Sequence, residues 1–147
     1  LKERLESLRD VLVMRKVIEI LQMNEHLIVI MNTQYQLYDE GMNRDGEYLA
    51  DTKPYKPYTI HVKKIKGQPY DRVTLQDEGD FYDSFYVEFG AEEMTIRAGD
   101  LKTEELTLKY GSEILGLTKE NIAILAQDQL RPELHKFINN YLLWGKQ

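Results

Sequence analysis

Ser84-Phe85-Tyr86-Val87-Glu88-Phe89-Gly90-Ala91-Glu92-Glu93-Met94-Thr95-Ile96-Arg97-Ala98 is the stretch whose reading decides the fold. Phe85, Val87 and Phe89 recur at every second residue, the period of a strand with one buried face. Gly90 to Glu93 supplies a turn, and Met94 to Ala98 alternates again, so the segment reads as an antiparallel hairpin. An isolated hairpin is marginal in water and has to pack on other elements.

Those elements are helices, and they lie on both sides. Upstream, Leu1, Leu5, Leu8 and Leu12 recur at helical spacing, and Val11, Met14, Ile18 and Leu21 continue the stripe with a small rotation. Neither Gly nor Pro occurs from Lys2 to Tyr38, so a continuous or gently kinked helix is expected to about Leu37, with Asn24 as the alternative point for a new cap. Downstream, Leu106 and Tyr110 lie one turn apart and Gly111 is placed as a helix stop. Thr118 then caps a segment with apolar residues at Ile122, Leu125, Ala126, Leu130, Leu134, Phe137, Ile138, Tyr141 and Leu142, with a kink or a junction expected near Arg131 because of Pro132.

Between Asp39 and Lys56 the residues Gly41, Asn43, Asp45, Gly46 and Pro54 mark turns. Pro57 suits the first position of a short helix through Lys66, although Tyr58, Ile60 and Val62 also alternate as a strand would; the helix is preferred. Arg72 to Gln76 is a short β-prone run. The expected fold is therefore α+β: a long N-terminal helix, a small antiparallel β-sheet containing the hairpin near 84–98, and C-terminal helices, with residues 1–147 forming one domain.

The totals narrow the chemistry. A formal charge of −6 repels phosphate backbones and anionic membranes as a whole, which leaves DNA at most a passing cargo. Without cysteine there is no disulfide, thiolate ligand or thiol nucleophile. The longest apolar run, Leu27 to Met31, falls far short of the roughly 20 residues that span a bilayer, and no export signal precedes it. His26, His61 and His135 have no second histidine at metal-site spacing, and no serine stands in a Gly-x-Ser-x-Gly elbow. Asn43-Arg44-Asp45-Gly46 lacks the first acid and the closing Glu of a calcium loop, and no glycine-rich phosphate loop occurs. No enzymatic activity, metal or cofactor is expected.

Two patterns point to surfaces instead. Tyr35, Tyr38, Tyr48, Tyr55, Tyr58, Tyr70, Tyr82 and Tyr86 fall between the first helix and the hairpin, where large rings with polar tips suit either an interaction surface or the covering of the sheet and a long loop. Lys53, Lys56, Lys63, Lys64, Lys66 and Arg72 make one stretch basic, and Asp77, Glu78, Asp80, Asp83, Glu88, Glu92 and Glu93 make the next acidic. Such neighbours either neutralise each other within a molecule or join the basic patch of one subunit to the acidic patch of the next. The candidate interface residues are Tyr48, Tyr55, Tyr58, Lys63, Lys64, Asp80 and Asp83, and charge reversal at Lys63 and Lys64 is expected to weaken assembly in a salt-dependent way.

One order of residues is familiar: Asp45-Gly46, Tyr55 or Tyr58 with Thr59, Lys63 or Lys64, Gly67-Gln68-Pro69, and Leu75-Gln76-Asp77-Glu78-Gly79-Asp80-Phe81-Tyr82-Asp83-Ser84-Phe85. It resembles the tail-completion and virion-morphogenesis proteins of tailed bacteriophages and prophages, especially those of Bacteroidetes. Gly79, Phe81 and Ser84 stand at the glycine, apolar and serine positions of that family's motif, whereas Glu78 replaces its threonine and Phe81 its usual leucine. The resemblance implies a structural protein of the head–tail junction, a homo-oligomeric ring between portal- or connector-side and tail proteins, assembled in the bacterial host cytoplasm and carried in the virion. For Gly79, Phe81, Ser84 and Phe85 the expected roles are structural: a sharp turn, two core contacts and a hydroxyl tied to backbone.

Overall fold

Asn24 divides the N-terminal helical sequence in two. In the computed structural model, which describes the backbone of residues 1–144 and the side chains of residues 1–140, α1 runs from Lys2 to Met23 and Asn24 leaves the helical region at φ −121°, ψ 23°. Both its N–H and its Nδ2 donate to the Ile20 carbonyl, at 3.1 and 2.9 Å, the local competition by which asparagine ends a helix. Helix then resumes, as a π turn (Glu25–Ile30), α2 (Met31–Tyr35) and a second π turn (Gln36–Glu40), until Gly41 closes it at φ 66°. The expected continuous helix is thus two helical runs, and the second reaches Glu40.

That second run is the axis of the core. Val29 and Leu37 are wholly buried, and they cluster with Ile28 and Ile30, with Ile20 and Leu21 of α1, and with Val73, Phe81, Ile114, Leu117 and Leu125 from later segments. After a turn bridged between Met42 and Tyr48 come α3 (Leu49–Thr52) and α4 (Pro57–Ile65), the helix preferred over a strand, with Pro57 in its first turn. α5 (Asp80–Asp83) leads into β1 (Phe85–Phe89) and β2 (Met94–Ala98), a two-stranded antiparallel sheet in the register Phe85↔Ala98, Val87↔Ile96, Phe89↔Met94. Phe85, Val87 and Ile96 are buried, and β1 lies against the Glu25–Ile30 turn. A carboxylate oxygen of Glu25 accepts the Val87 N–H at 2.8 Å, so the central helix serves an edge that has no third strand.

The β-prone run Arg72 to Gln76 forms no strand. Its middle residue, Thr74, is buried, and its backbone groups are bonded to side chains instead: the N–H donates to the Tyr55 hydroxyl at 3.0 Å and the carbonyl accepts the Tyr82 hydroxyl. With the ladder positions so occupied, no neighbouring strand is required.

The remaining chain is helical. α6 (Thr103–Tyr110) stops at Gly111, where φ is 93°, and α7 (Lys119–Leu125) starts under a cap in which the Thr118 hydroxyl accepts the Asn121 N–H at 3.1 Å. A π turn (Ala126–Leu130) then joins α7 to α8 (Arg131–Trp144). Pro132 cannot donate to the helix ladder, and the wider turn just before it absorbs that defect. Tyr141 and Leu142, the last members of the sequence stripe, have side chains outside the described residues. The result is the mixed α+β arrangement, with helices around a single hairpin.

Candidate functional site

The tyrosines divide by position. Tyr82 is buried, stacks on Phe85 at 5.7 Å between ring centroids and meets Tyr38 and Phe81 edge-on. Its hydroxyl and that of Tyr55 grip Thr74 from two sides, fixing the Arg72–Gln76 segment to the core. Burial, with smaller contributions from Tyr55, Tyr38 and Asp39, raises the Tyr82 phenol well above its ordinary value. A phenol kept neutral by the fold adds stability that is present below about pH 10 and is lost as the pH climbs toward the raised folded value, at about 1.4 kcal/mol per pH unit. Alkaline unfolding followed by circular dichroism is expected to begin above about pH 10, and Tyr82→Phe to flatten that slope while lowering stability at pH 7 by about 1 kcal/mol. An unaltered slope would remove Tyr82 from this role. Tyr35, Tyr48, Tyr58, Tyr70 and Tyr86, by contrast, are exposed.

The lysines divide in the same way. Lys63 on α4 is only 6% exposed, and its ammonium donates to the Gln76 carbonyl at 2.7 Å and to Gln68 Oε1 at 3.1 Å, with the Tyr55 ring 5.0 Å away. Lys64, on the next residue, is exposed and lies over the Tyr70 ring at 4.7 Å. Lys66 is paired with Asp77 at 2.7 Å in water, and each holds the other charged: the Asp77 hydrogen bond raises the lysine, and the Lys66 hydrogen bond lowers the carboxyl. This part of the basic and acidic stretches therefore neutralises within the chain.

Four of the seven sequence candidates, Tyr55, Tyr58, Lys63 and Asp80, line one cleft of about 340 Å³ between α4, the Leu75–Gly79 loop, the start of α5 and α6, which adds Lys102, Glu105, Lys109 and Tyr110. Burial raises the Tyr110 phenol there. Cations and carboxylates alternate around its rim, so the cleft presents no single sign of charge. Tyr48 lies elsewhere, in a shallow hollow with Asp51 and Arg72, and Asp83 borders a third hollow beside Tyr35 and Tyr38. The motif residues have local duties. Gly79 takes φ 107° ahead of α5, Phe81 and Phe85 meet edge-on at 4.9 Å, and the Ser84 hydroxyl donates to the Phe81 carbonyl at 2.8 Å. Among the described residues no three His, Asp or Glu side chains converge as a metal site would require, and no helix is long and apolar enough to cross a membrane.

Sequence reasoning located α1 but not its surroundings. Every residue from Leu1 to Arg15 is exposed, including Leu5, Leu8, Val11, Leu12, Val13 and Met14, and α1 becomes partly buried from Lys16, whose ammonium lies over the Phe137 ring at 4.5 Å. That exposed segment is about 22 Å of helix. An isolated helix of that length is marginal in water, and the leucine stripe on it is an apolar feature open to another molecule. Compared with known proteins, the chain matches no family model, no curated protein and no solved structure.

Proposed function

We propose that the chain is a structural assembly protein of the tailed-phage head–tail junction, a neck or tail-completion component that works through protein–protein contacts in a homo-oligomeric ring. Its neighbours in that reading are portal- or connector-side proteins and tail proteins, and its place is the virion, after assembly in the host cytoplasm. A connector or tail-terminator subunit is the nearest variant of the same reading. The observation that carries it is the exposed N-terminal half of α1, whose leucines offer an apolar face suited to a protein–protein contact. The motif around Gly79 to Phe85 supports it from the sequence side.

Cryo-microscopy of particles containing the chain tests the proposal directly. Density for the chain at the junction is the expected result, and complete tailed particles without it would overturn the reading. Removing residues 1–15 is expected to leave thermal stability within about 0.5 kcal/mol of the intact chain, because those residues are exposed, while abolishing incorporation into particles. The cleft beside Tyr58 favours a second reading, a tyrosine-lined ligand-binding module or small enzyme. A bound small molecule that is lost on Tyr58→Ala would favour that one.

A further inference from the structure

Lys63 is the one buried charge among the described residues. Its ammonium donates to the Gln76 carbonyl and to Gln68 Oε1, at 2.7 and 3.1 Å, so two of its three protons rest on neutral oxygens. The Tyr55 ring adds a cation–π contact at 5.0 Å. Among the described residues no carboxylate lies within 4.0 Å of it, and Asp77, from the neighbouring loop, is bonded to Lys66 instead. A buried cation held by neutral oxygens keeps an uncompensated charge, which attracts an anion more strongly than an exposed lysine does.

That charge lines the cleft of about 340 Å³, a volume typical of small-molecule sites. Val62, Leu75 and Leu106 give the cleft apolar walls. Leu75 is held at φ 55°, the one positive φ outside glycine among the described residues, beside the Thr74 that the Tyr55 and Tyr82 hydroxyls clamp. A strained residue fixed by its neighbours forms a wall that exists before any ligand arrives. Tyr110, partly buried in the same cleft, has a hydroxyl that, unlike those of Tyr55 and Tyr82, makes no hydrogen bond to a described residue. Tyr55 stands beside both groups, with its ring near the Lys63 ammonium and its phenol close enough to help raise that of Tyr110. The rim limits the charge a ligand can carry: Glu78, Asp80 and Glu105 line the cleft outside any ion pair with a described residue, so a phosphate or a polycarboxylate meets repulsion that a single seated carboxylate meets less.

We propose that this cleft binds a small monocarboxylate with an apolar body, the carboxylate accepting from the Lys63 ammonium and the Tyr110 hydroxyl and the body lying against Val62, Leu75 and Leu106. The site goes beyond the assembly reading and does not depend on it.

Two-dimensional NMR of the full chain, titrated with benzoate and hexanoate and with their neutral amides benzamide and hexanamide, tests this. At least one carboxylate is expected to shift the resonances of Lys63, Leu75 and Leu106 with a Kd on the order of 1 mM, and its amide to bind roughly tenfold more weakly. Tyr110→Phe keeps the ring and is expected to weaken the carboxylate about fivefold while leaving the amide unchanged. Lys63→Met is expected to abolish the preference for carboxylate over amide, whereas Lys66→Met, which removes an exposed and already paired cation from the same rim, is expected to retain it. Circular dichroism verifies that Lys63→Met is folded, and the amide and Tyr110 comparisons decide the matter without that variant. Inorganic phosphate binding as tightly as the carboxylate, equal affinity for acid and amide, or no shift with either carboxylate would each overturn the proposal. A chain that enters particles but binds neither carboxylate loses this proposal alone, and a chain that binds yet is absent from particles loses the assembly reading alone.

Discussion

Replacing Gln36 with leucine is expected to lower the stability of the fold by about 3 kcal/mol, although the two side chains are similar in size. Gln36 is wholly buried in the central helical run. Its Nε2 donates to the Gly116 carbonyl at 3.0 Å, and its Oε1 accepts the Thr118 N–H and the Asn121 Nδ2, each at 2.9 Å. One amide thus holds the segment that turns the chain from α6 into α7, next to buried Ile114 and Leu117. Leucine fills the space but leaves a carbonyl and an N–H without partners, and each buried orphan costs about 1–3 kcal/mol. Urea unfolding checks this: the midpoint should fall with the slope unchanged. Gln36→Glu is expected to lose less at low pH, where a protonated carboxyl can still donate to Gly116, and more at neutral pH, where a carboxylate would face Glu40 across the shared Asn121 amide. A Gln36→Leu midpoint equal to that of the wild type would show that this hub contributes nothing.

Gln36 also shows where sequence reading stops. The hairpin, the Pro57 helix, the Gly111 stop and the Thr118 cap were legible because each is a local code: alternation, a fixed φ, a tolerated positive φ, a hydroxyl three residues before an N–H. Gln36 and its partners lie some eighty residues apart, and a lone glutamine in a helix is ordinary composition. The same limit governs Arg72 to Gln76, whose β propensity was real but whose hydrogen bonds went to the tyrosines at 55 and 82. It governs α1 as well. Periodicity shows that Leu1, Leu5, Leu8 and Leu12 share a face, but an intramolecular core and an outward stripe have the same period. Only the placement of the later elements shows that this face is exposed among the described residues.

The candidate surface was legible as composition and not as geometry. Tyrosines concentrate between the first helix and the hairpin, and opposed charges from Lys53 to Glu93, as the sequence indicated, yet the rings at 55 and 82 act as internal clamps and those at 48 and 58 face water. Acidic and basic runs adjacent in sequence met within one molecule at Lys66 and Asp77.

Lys63 and Lys64 are adjacent in sequence, but one is buried and the other exposed. Reversal of Lys63, Lys63→Glu, is expected to cost more than about 4 kcal/mol and to leave little folded protein at 37 °C, because a buried carboxylate would face the Gln76 carbonyl and Gln68 Oε1 where an ammonium now donates. Reversal of Lys64, Lys64→Glu, loses only an exposed contact with Tyr70, and its effect on folding is expected to stay below about 1 kcal/mol. Thermal unfolding of the two single variants separates these outcomes, and equal midpoints would refute the buried role of Lys63. Lys63→Met, apolar and of similar length, should fall between them at about 2 kcal/mol, since it removes the charge but still strands the Gln76 carbonyl. It follows that a loss of assembly in a Lys63 variant reports on folding, so the salt-dependent test of a charged interface belongs to Lys64, where a charge is reversed without disturbing the core.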